Sequence, residues 1–159
     1  MEKLWAPWRS EYVQSGGGGS ECIFCSALAA NDDRARLVLV REPLAFALLN
    51  AYPYAPGHLM VAVARHVGLY EALSDDELRA FGRLTQRGVL ALRAAFSPDG
   101  FNLGINQGRI AGAGVEGHLH LHIVPRWTGD TNFMPVTGDV KVISQDPGAT
   151  HEALLPHFR

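Results

Sequence analysis

No stretch of this sequence approaches the roughly 18 consecutive apolar residues that a membrane-spanning helix requires, and neither sign of charge dominates it. Fourteen Lys and Arg against 16 Asp and Glu leave a formal net charge of −2 and a pI near 6.4. A chain so balanced has no basic field with which to hold duplex nucleic acid, so an anionic ligand has to be met locally. Cysteine is nearly absent, with Cys22 and Cys25 the only two. At the spacing Cys22-Ile23-Phe24-Cys25 they do not form the disulfide framework of a small secreted fold and read instead as a metal clip or a redox pair. The opening Met1–Arg9 lacks the apolar core of a signal peptide, so a cytoplasmic location and no membrane partner are expected. Neither the G-x-G-x-x-G nor the P-loop spacing occurs, and no carboxylate cluster suited to magnesium is evident.

What the chain does have is 47% hydrophobic residues over 159 positions, enough for one core. Residues 1–21 read as an arm carrying Trp5, Trp8 and Tyr12, followed by the Gly-rich linker Ser15–Ser20. Residues 22–159 are expected to form a single domain.

One stretch concentrates the chemistry: Gly117-His118-Leu119-His120-Leu121-His122-Ile123-Val124-Pro125. In an extended strand, alternate side chains share a face, so His118, His120 and His122 line one surface while Leu119, Leu121 and Ile123 pack on the other. Three of the seven histidines of the chain stand on this ladder. A merely polar strand face does not need three groups that titrate near neutrality. Two chemical readings stay open: a metal site of the His-x-His kind, as in a cupin-like metalloenzyme, or an imidazole nucleophile oriented by its neighbours.

The remaining elements give the ladder a setting. Leu37–Val40, Ala45–Leu49, Leu59–Val63 and Phe101–Asn106 read as strands. The Pro- and Gly-punctuated loop Asn50–His58 brings Asn50 and His58 to neighbouring strand ends. Ser74-Asp75-Asp76-Glu77 is a capping box, and Leu78, Phe81, Leu84, Gly88, Leu92 and Ala95 follow at helical spacing until Ser97-Pro98-Asp99-Gly100. A short C-terminal helix over 150–158 carries His151 and His157, to which no role is assigned. The pattern is α+β: an antiparallel sheet of about five strands, one long helix and one short C-terminal helix. Just before the ladder, Gly112, Gly114 and Gly117 lie in a loop whose backbone N–H groups can approach an anion closely. Arg126 and Lys141 are further phosphate partners by charge.

His118-Leu119-His120-Leu121-His122-Ile123-Val124 resembles the signature of the histidine triad (HIT) superfamily of nucleotide hydrolases and transferases. Much of residues 22–144 is similar to it: Cys22 to Cys25, Leu49-Asn50 through Val61, His66, and Gly112 through Pro125. The tail Arg126-Trp127-x-Gly129-Asp130-x-Asn132-Phe133 and the opening Trp5-x-Pro7-Trp8-Arg9 are most similar to the bacterial branch of diadenosine tetraphosphate (Ap4A) phosphorylases and related hydrolases.

The resemblance implies a role for each position. His120 corresponds to the nucleophile that attacks the α-phosphorus of a nucleotide and becomes a covalent nucleotidyl-histidine. His122 corresponds to the residue that binds the same phosphate, and His58 to the further histidine beside it. Asn50 falls where the family places its ribose-binding residue. Gly112, Gly114, Gly117 and Arg126 complete the expected nucleotide contacts. In zinc-bearing relatives the metal is held at the positions of Cys22, Cys25, His66 and His118, and four protein ligands make such a zinc structural. A homodimer is implied as well. At the third and fourth positions before the triad, eukaryotic branches carry a serine or threonine and a glutamine; here stand Val115 and Gly114, so backbone N–H groups have to replace those side chains. The implied reaction is cleavage of a (di)nucleoside polyphosphate, with phosphorolysis favoured over hydrolysis. A nucleotide-binding scaffold without turnover and a nucleoside phosphoramidate hydrolase are the alternatives.

Overall fold

The computed structural model describes residues 22–131 and 146–159. The aromatic arm, the Gly-rich linker, Asn132, Phe133 and Lys141 lie outside the described residues.

Two of the expected strands appear with the expected bounds, β2 (Ala45–Leu49) and β3 (Leu59–Val63), joined by the Asn50–His58 loop. They pair in register along their whole length, Ala45 against Val63 through Leu49 against Leu59. β1 (Val38–Arg41) lies outside β2, with an irregularity between Val38 and Val40. β4 (Gly100–Ile105) and β5 (His120–Arg126) complete an antiparallel five-stranded sheet of order β1-β2-β3-β5-β4. The triad strand therefore stands inside the sheet, and among the described residues β4 ends it.

Short helix α1 (Ile23–Ala29) precedes the sheet, and the long helix α2 (Asp75–Phe96) crosses one of its faces. Ser74 caps α2 by accepting from the Glu77 N–H, and the Glu77 carboxylate accepts the Ser74 N–H in return. The helix ends where Ser97 takes a left-handed conformation, φ 46°. Phe81, Leu84, Gly88, Ala91 and Leu92 are buried on its inner face, against Leu59, Val61, Leu119 and Ile123 of the sheet. Each large apolar side chain so buried contributes about 1.5–3 kcal/mol. Gly88 lets the helix approach closely, because a Cβ there would lie 2.7 Å from Leu59 Cδ2 and 3.0 Å from Ile123 Cδ1.

The opposite face holds a second cluster of Phe24, Ala27, Val38, Phe46, Leu48, Met60 and Ala62. It explains why β2 and β3 are buried throughout instead of alternately. α1 is the element the sequence pattern did not foresee, and it covers this face. Arg41 seats it, donating to the carbonyls of Ala27, Leu28 and Ala30 at the helix C-terminus. The C-terminal helix α3 starts earlier than expected, at Pro147–Leu154, with Asp146 accepting from the Gly148 and Ala149 N–H groups, and continues as a 3₁₀ turn to Phe158. His151, buried on α3, donates to the Val38 carbonyl at 2.8 Å and so ties α3 to β1.

Candidate active site

β5 lies between β3 and β4, with His120 opposite Ala62 and His122 opposite Met60 on one side and Gly104 on the other. Directly paired residues share a sheet face, so the ladder occupies the face that carries the Phe24 cluster, away from α2. The regular strand begins at His120, and His118 precedes it. Leu119 N–H donates to the Val67 carbonyl at 2.7 Å, which holds His118 in line with the rest. That approach needs Gly68, where a Cβ would lie 2.3 Å from the Glu116 carbonyl oxygen.

The three rings are separated by what each nitrogen faces. His118 Nε2–H donates to the Val63 carbonyl at 2.7 Å, and its Nδ1 lone pair faces the Cys22 and Cys25 sulfurs at 3.4 and 3.5 Å. His120 Nδ1–H donates to the main-chain carbonyl of His118 at 2.7 Å, which puts the lone pair of the neutral ring on Nε2. Burial holds the imidazoles of both His118 and His120 below their ordinary pKa, so the neutral, nucleophilic form is favoured. The Phe24 ring lies 4.7 Å from the His120 ring and 5.0 Å from that of His118.

His122 is governed by a longer relay. Tyr54 N–H donates to His58 Nδ1 at 3.1 Å, so the proton of a neutral His58 sits on Nε2, 2.9 Å from His122 Nδ1. His122 Nδ1 then accepts, and its own proton is placed on Nε2, a donor suited to a phosphate oxygen. His58 is buried and the Tyr54 ring packs 4.6 Å from its ring.

Cys22, Cys25, His66 and His118 converge, with one ligand atom from each all lying within 4.8 Å of one another. Cys25 Sγ is 3.2 Å from His66 Nδ1. Two thiols and two imidazole nitrogens are a donor set suited to a tetrahedral metal, and the Val63 carbonyl supplies the outer hydrogen bond that orients such a histidine ligand.

A cleft of about 400 Å³ opens beside His122, walled by Tyr54 and Pro56 on one side and Asn102, Gly104 and Asn106 of the β4 segment on the other. Arg126 lies at its far end, donating through Nε and Nη2 to both carboxylate oxygens of Asp130 and through Nη1 to Asn102 Oδ1. Asn50 follows β2, and its Oδ1 accepts the Tyr52 N–H, an Asx turn that shapes the loop. Gly112 adopts φ 87° and its N–H bonds the Arg109 carbonyl, while Gly117 packs its Cα side against the His66 ring. Val115 packs on the Phe24 cluster. Phe24, Tyr54 and Asn106 are site residues that sequence reasoning missed. For Asn106 the available signal was its place at the strand end directly before the glycine loop. For Phe24 and Tyr54 the contacts come from distant elements and leave no local pattern.

An α+β fold that presents a buried imidazole with one nitrogen tied to a carbonyl, beside a second imidazole that can donate, is suited to histidine-based group transfer or hydrolysis. Residues 32–129 match the HIT domain model. Over 152 residues, 91% of this chain and 78% of the relative, it is 38% identical to an AP-4-A phosphorylase of Mycobacterium tuberculosis. It is also 37% identical over 83 residues, 52% of this chain and 55% of the relative, to a bis(5'-adenosyl)-triphosphatase of Dictyostelium discoideum. A Zn-bound histidine triad family protein from Mycobacterium smegmatis has the same fold, with a TM-score of 0.70 at 23% identity over 87% of this chain and 93% of that one. The chain belongs to the HIT family and is a nucleotide hydrolase or transferase of that family. Among the described residues no helix is long and apolar enough to cross a membrane.

Proposed function

We propose that the enzyme cleaves dinucleoside polyphosphates such as Ap4A at the α-phosphorus through a covalent nucleotidyl-histidine on His120, with phosphate favoured over water as acceptor. The observation that carries this reading is the 2.7 Å bond from His120 Nδ1–H to the His118 carbonyl, which commits one nitrogen and leaves the other for attack. In the first step His120 Nε2 forms a bond to the α-phosphorus as the bridging P–O bond breaks, and ATP departs from Ap4A. In the second the acceptor oxygen displaces Nε2, giving ADP with phosphate or AMP with water. His122 Nε2–H and the amides of Gly114 and Gly117 meet the charge on the reacting phosphoryl group, while the Gly112 N–H, held by the Arg109 carbonyl, shapes the loop. Asn50 takes the ribose of the transferred nucleotide, and His58 sets the tautomer of His122. Arg126 joins the nucleotide contacts from the far end of the cleft. The 38% identity to an AP-4-A phosphorylase supports phosphorolysis.

Cys22, Cys25, His66 and His118 would hold zinc. With four protein ligands it would serve structure, bracing α1 against the segment that carries the nucleophile. A homodimer fits β4, which ends the sheet among the described residues and leaves Leu103 half exposed.

Incubation with Ap4A, with and without phosphate, and identification of the products tests the reaction. ADP plus ATP only when phosphate is present is the expected result, whereas AMP plus ATP makes the enzyme a hydrolase. His120→Ala should abolish turnover and leave nucleotide binding largely intact; near-normal turnover would sink the nucleophile assignment.

A further inference from the structure

Backbone amides can meet a developing charge only if the loop that carries them is held still. Between β4 and the triad, Gly108, Gly112, Gly114 and Gly117 leave residues 108–117 few side chains with which to fix their course, and Gly108 and Gly112 stand at φ 82° and 87°. The Gly112 N–H bonds the Arg109 carbonyl and the Ala113 N–H bonds the Gly108 carbonyl. These bonds close the loop on itself without fixing it against His120 and His122. Ile110 is 99% exposed, so among the described residues no packing holds the loop at that point.

The segment Val67–Glu71 holds the loop from outside, at both ends. At the far end the Leu119 N–H donates to the Val67 carbonyl, and Gly68 lies against the Glu116 backbone. At the near end Gln107 reaches the 3₁₀ turn Tyr70–Ala72. Its Oε1 accepts the Tyr70 N–H at 2.8 Å, and its Nε2 donates to Glu71 Oε2 at 3.0 Å. A carboxamide answers both partners at once, with an oxygen for the N–H and an N–H for the carboxylate. Glu71 is held below the ordinary carboxyl range by its own main-chain N–H and then by this amide, so it remains an acceptor at neutral pH. Directly before Gln107 stands Asn106, a wall of the cleft beside His122. Exposed hydrogen bonds of this kind add little to the stability of a fold. What these two fix is the place where the loop departs.

We infer that Gln107 is a positioning residue for the reaction, a clamp that ties the start of the glycine loop to Tyr70 and Glu71 and so holds the Gly114 and Gly117 amides ready for the phosphoryl charge. The inference rests on the proposed reaction at the α-phosphorus. Gln107→Ala, Gln107→Glu and the double variant Gln107→Glu/Glu71→Gln are compared with the full wild-type chain in Ap4A turnover, thermal midpoint and hydrogen exchange. Gln107→Ala should lower kcat about tenfold with KM within about twofold, raise exchange across residues 108–117 and leave the midpoint unchanged. Gln107→Glu sets two carboxylates against each other and should lose at least as much. The double variant again faces one carboxylate with one amide donor, and its kcat should return to within about threefold of wild type. If the loss came instead from a new charge repelling the substrate, the double variant, which keeps that charge, would not recover. Wild-type kcat and exchange in Gln107→Ala, or a double variant no better than Gln107→Glu, overturns the clamp and leaves the His120 reading standing. A wild type that does not cleave Ap4A overturns both.

Discussion

His118 and His120 stand two residues apart on one segment, yet one turns a lone pair to thiols and the other keeps a lone pair that, in the proposed reaction, attacks phosphorus. Which nitrogen each ring commits to a carbonyl makes the difference, Nε2 to Val63 in the first and Nδ1 to His118 itself in the second. The period-2 pattern placed the three histidines on one face, and only the hydrogen-bond partners around them assign their protons: the Val63 and His118 carbonyls for His118 and His120, and for His122 the His58 Nε2–H, itself set by the Tyr54 N–H. Three of these partners are main-chain groups, which carry no mark in the sequence. In the proposed reaction the same logic makes His58 a positioning residue: its Nε2–H, 2.9 Å from His122 Nδ1, would set His122 in the Nε2–H tautomer. Loss of an orienting partner of this kind costs roughly 10–100-fold. His58→Ala should therefore lower kcat by that order while the nucleotide Kd, measured by titration, changes little. Unaltered kcat would remove the relay from the mechanism.

At the scale of elements, β2, β3 and α2 were legible because period and punctuation agreed, with Ser74 and Glu77 marking the start of α2. α1 was not legible, since it is seven residues long, its N-cap Cys22 makes no side-chain capping bond, and it depends on Arg41 and the Phe24 cluster. Early entry into α3 had a local signal in Asp146-Pro147, a cap followed by proline at the first helical position. The α2 seat invites a paired test. Gly88→Val pushes atoms into Leu59 and Ile123 and should cost about 2 kcal/mol by overpacking, whereas Gly82→Ala, where a Cβ meets nothing within 4 Å, should stabilise by about 0.5–1 kcal/mol through helix propensity. Denaturant midpoints check both, and a stable Gly88→Val would mean the helix packs less tightly than its geometry implies. The cap adds a pH dependence. Arg65, then the Ser74 N–H, hold the buried Glu77 carboxyl down to about 2 from its ordinary 4.5. A depressed folded-state pKa means that the stabilisation is complete above pH 4.5 and drains away as pH falls toward 2. The gap in thermal midpoint between wild type and Glu77→Gln should close across that interval; a gap that stays constant would assign the stability to something other than this carboxylate.

For the molecule as a whole, the Cys22, Cys25, His66 and His118 cluster joins three parts that are far apart in the chain: α1, the segment after β3 and the residue before β5. α1 has little of its own to hold it, and a helix of this length is marginal in isolation. A metal at the cluster would fasten it to the segment whose carbonyl orients His120, so that fold stability and nucleophile geometry would share one joint. If the folded chain holds one zinc at 100-fold its dissociation constant, the metal contributes about 2.7 kcal/mol. For a domain of this size that corresponds to about 5–10 °C in thermal midpoint. Stripping the metal with a strong chelator should lower the midpoint by that amount and raise hydrogen exchange across residues 22–30, with both effects reversed by one equivalent of zinc. Cys25→Ser should start from the lower midpoint and respond to neither treatment. A wild-type protein that contains no zinc when purified, and whose midpoint and exchange ignore both chelator and added zinc, would leave α1 held by Arg41 and Phe24 alone and reduce the cluster to a pair of thiols beside two imidazoles.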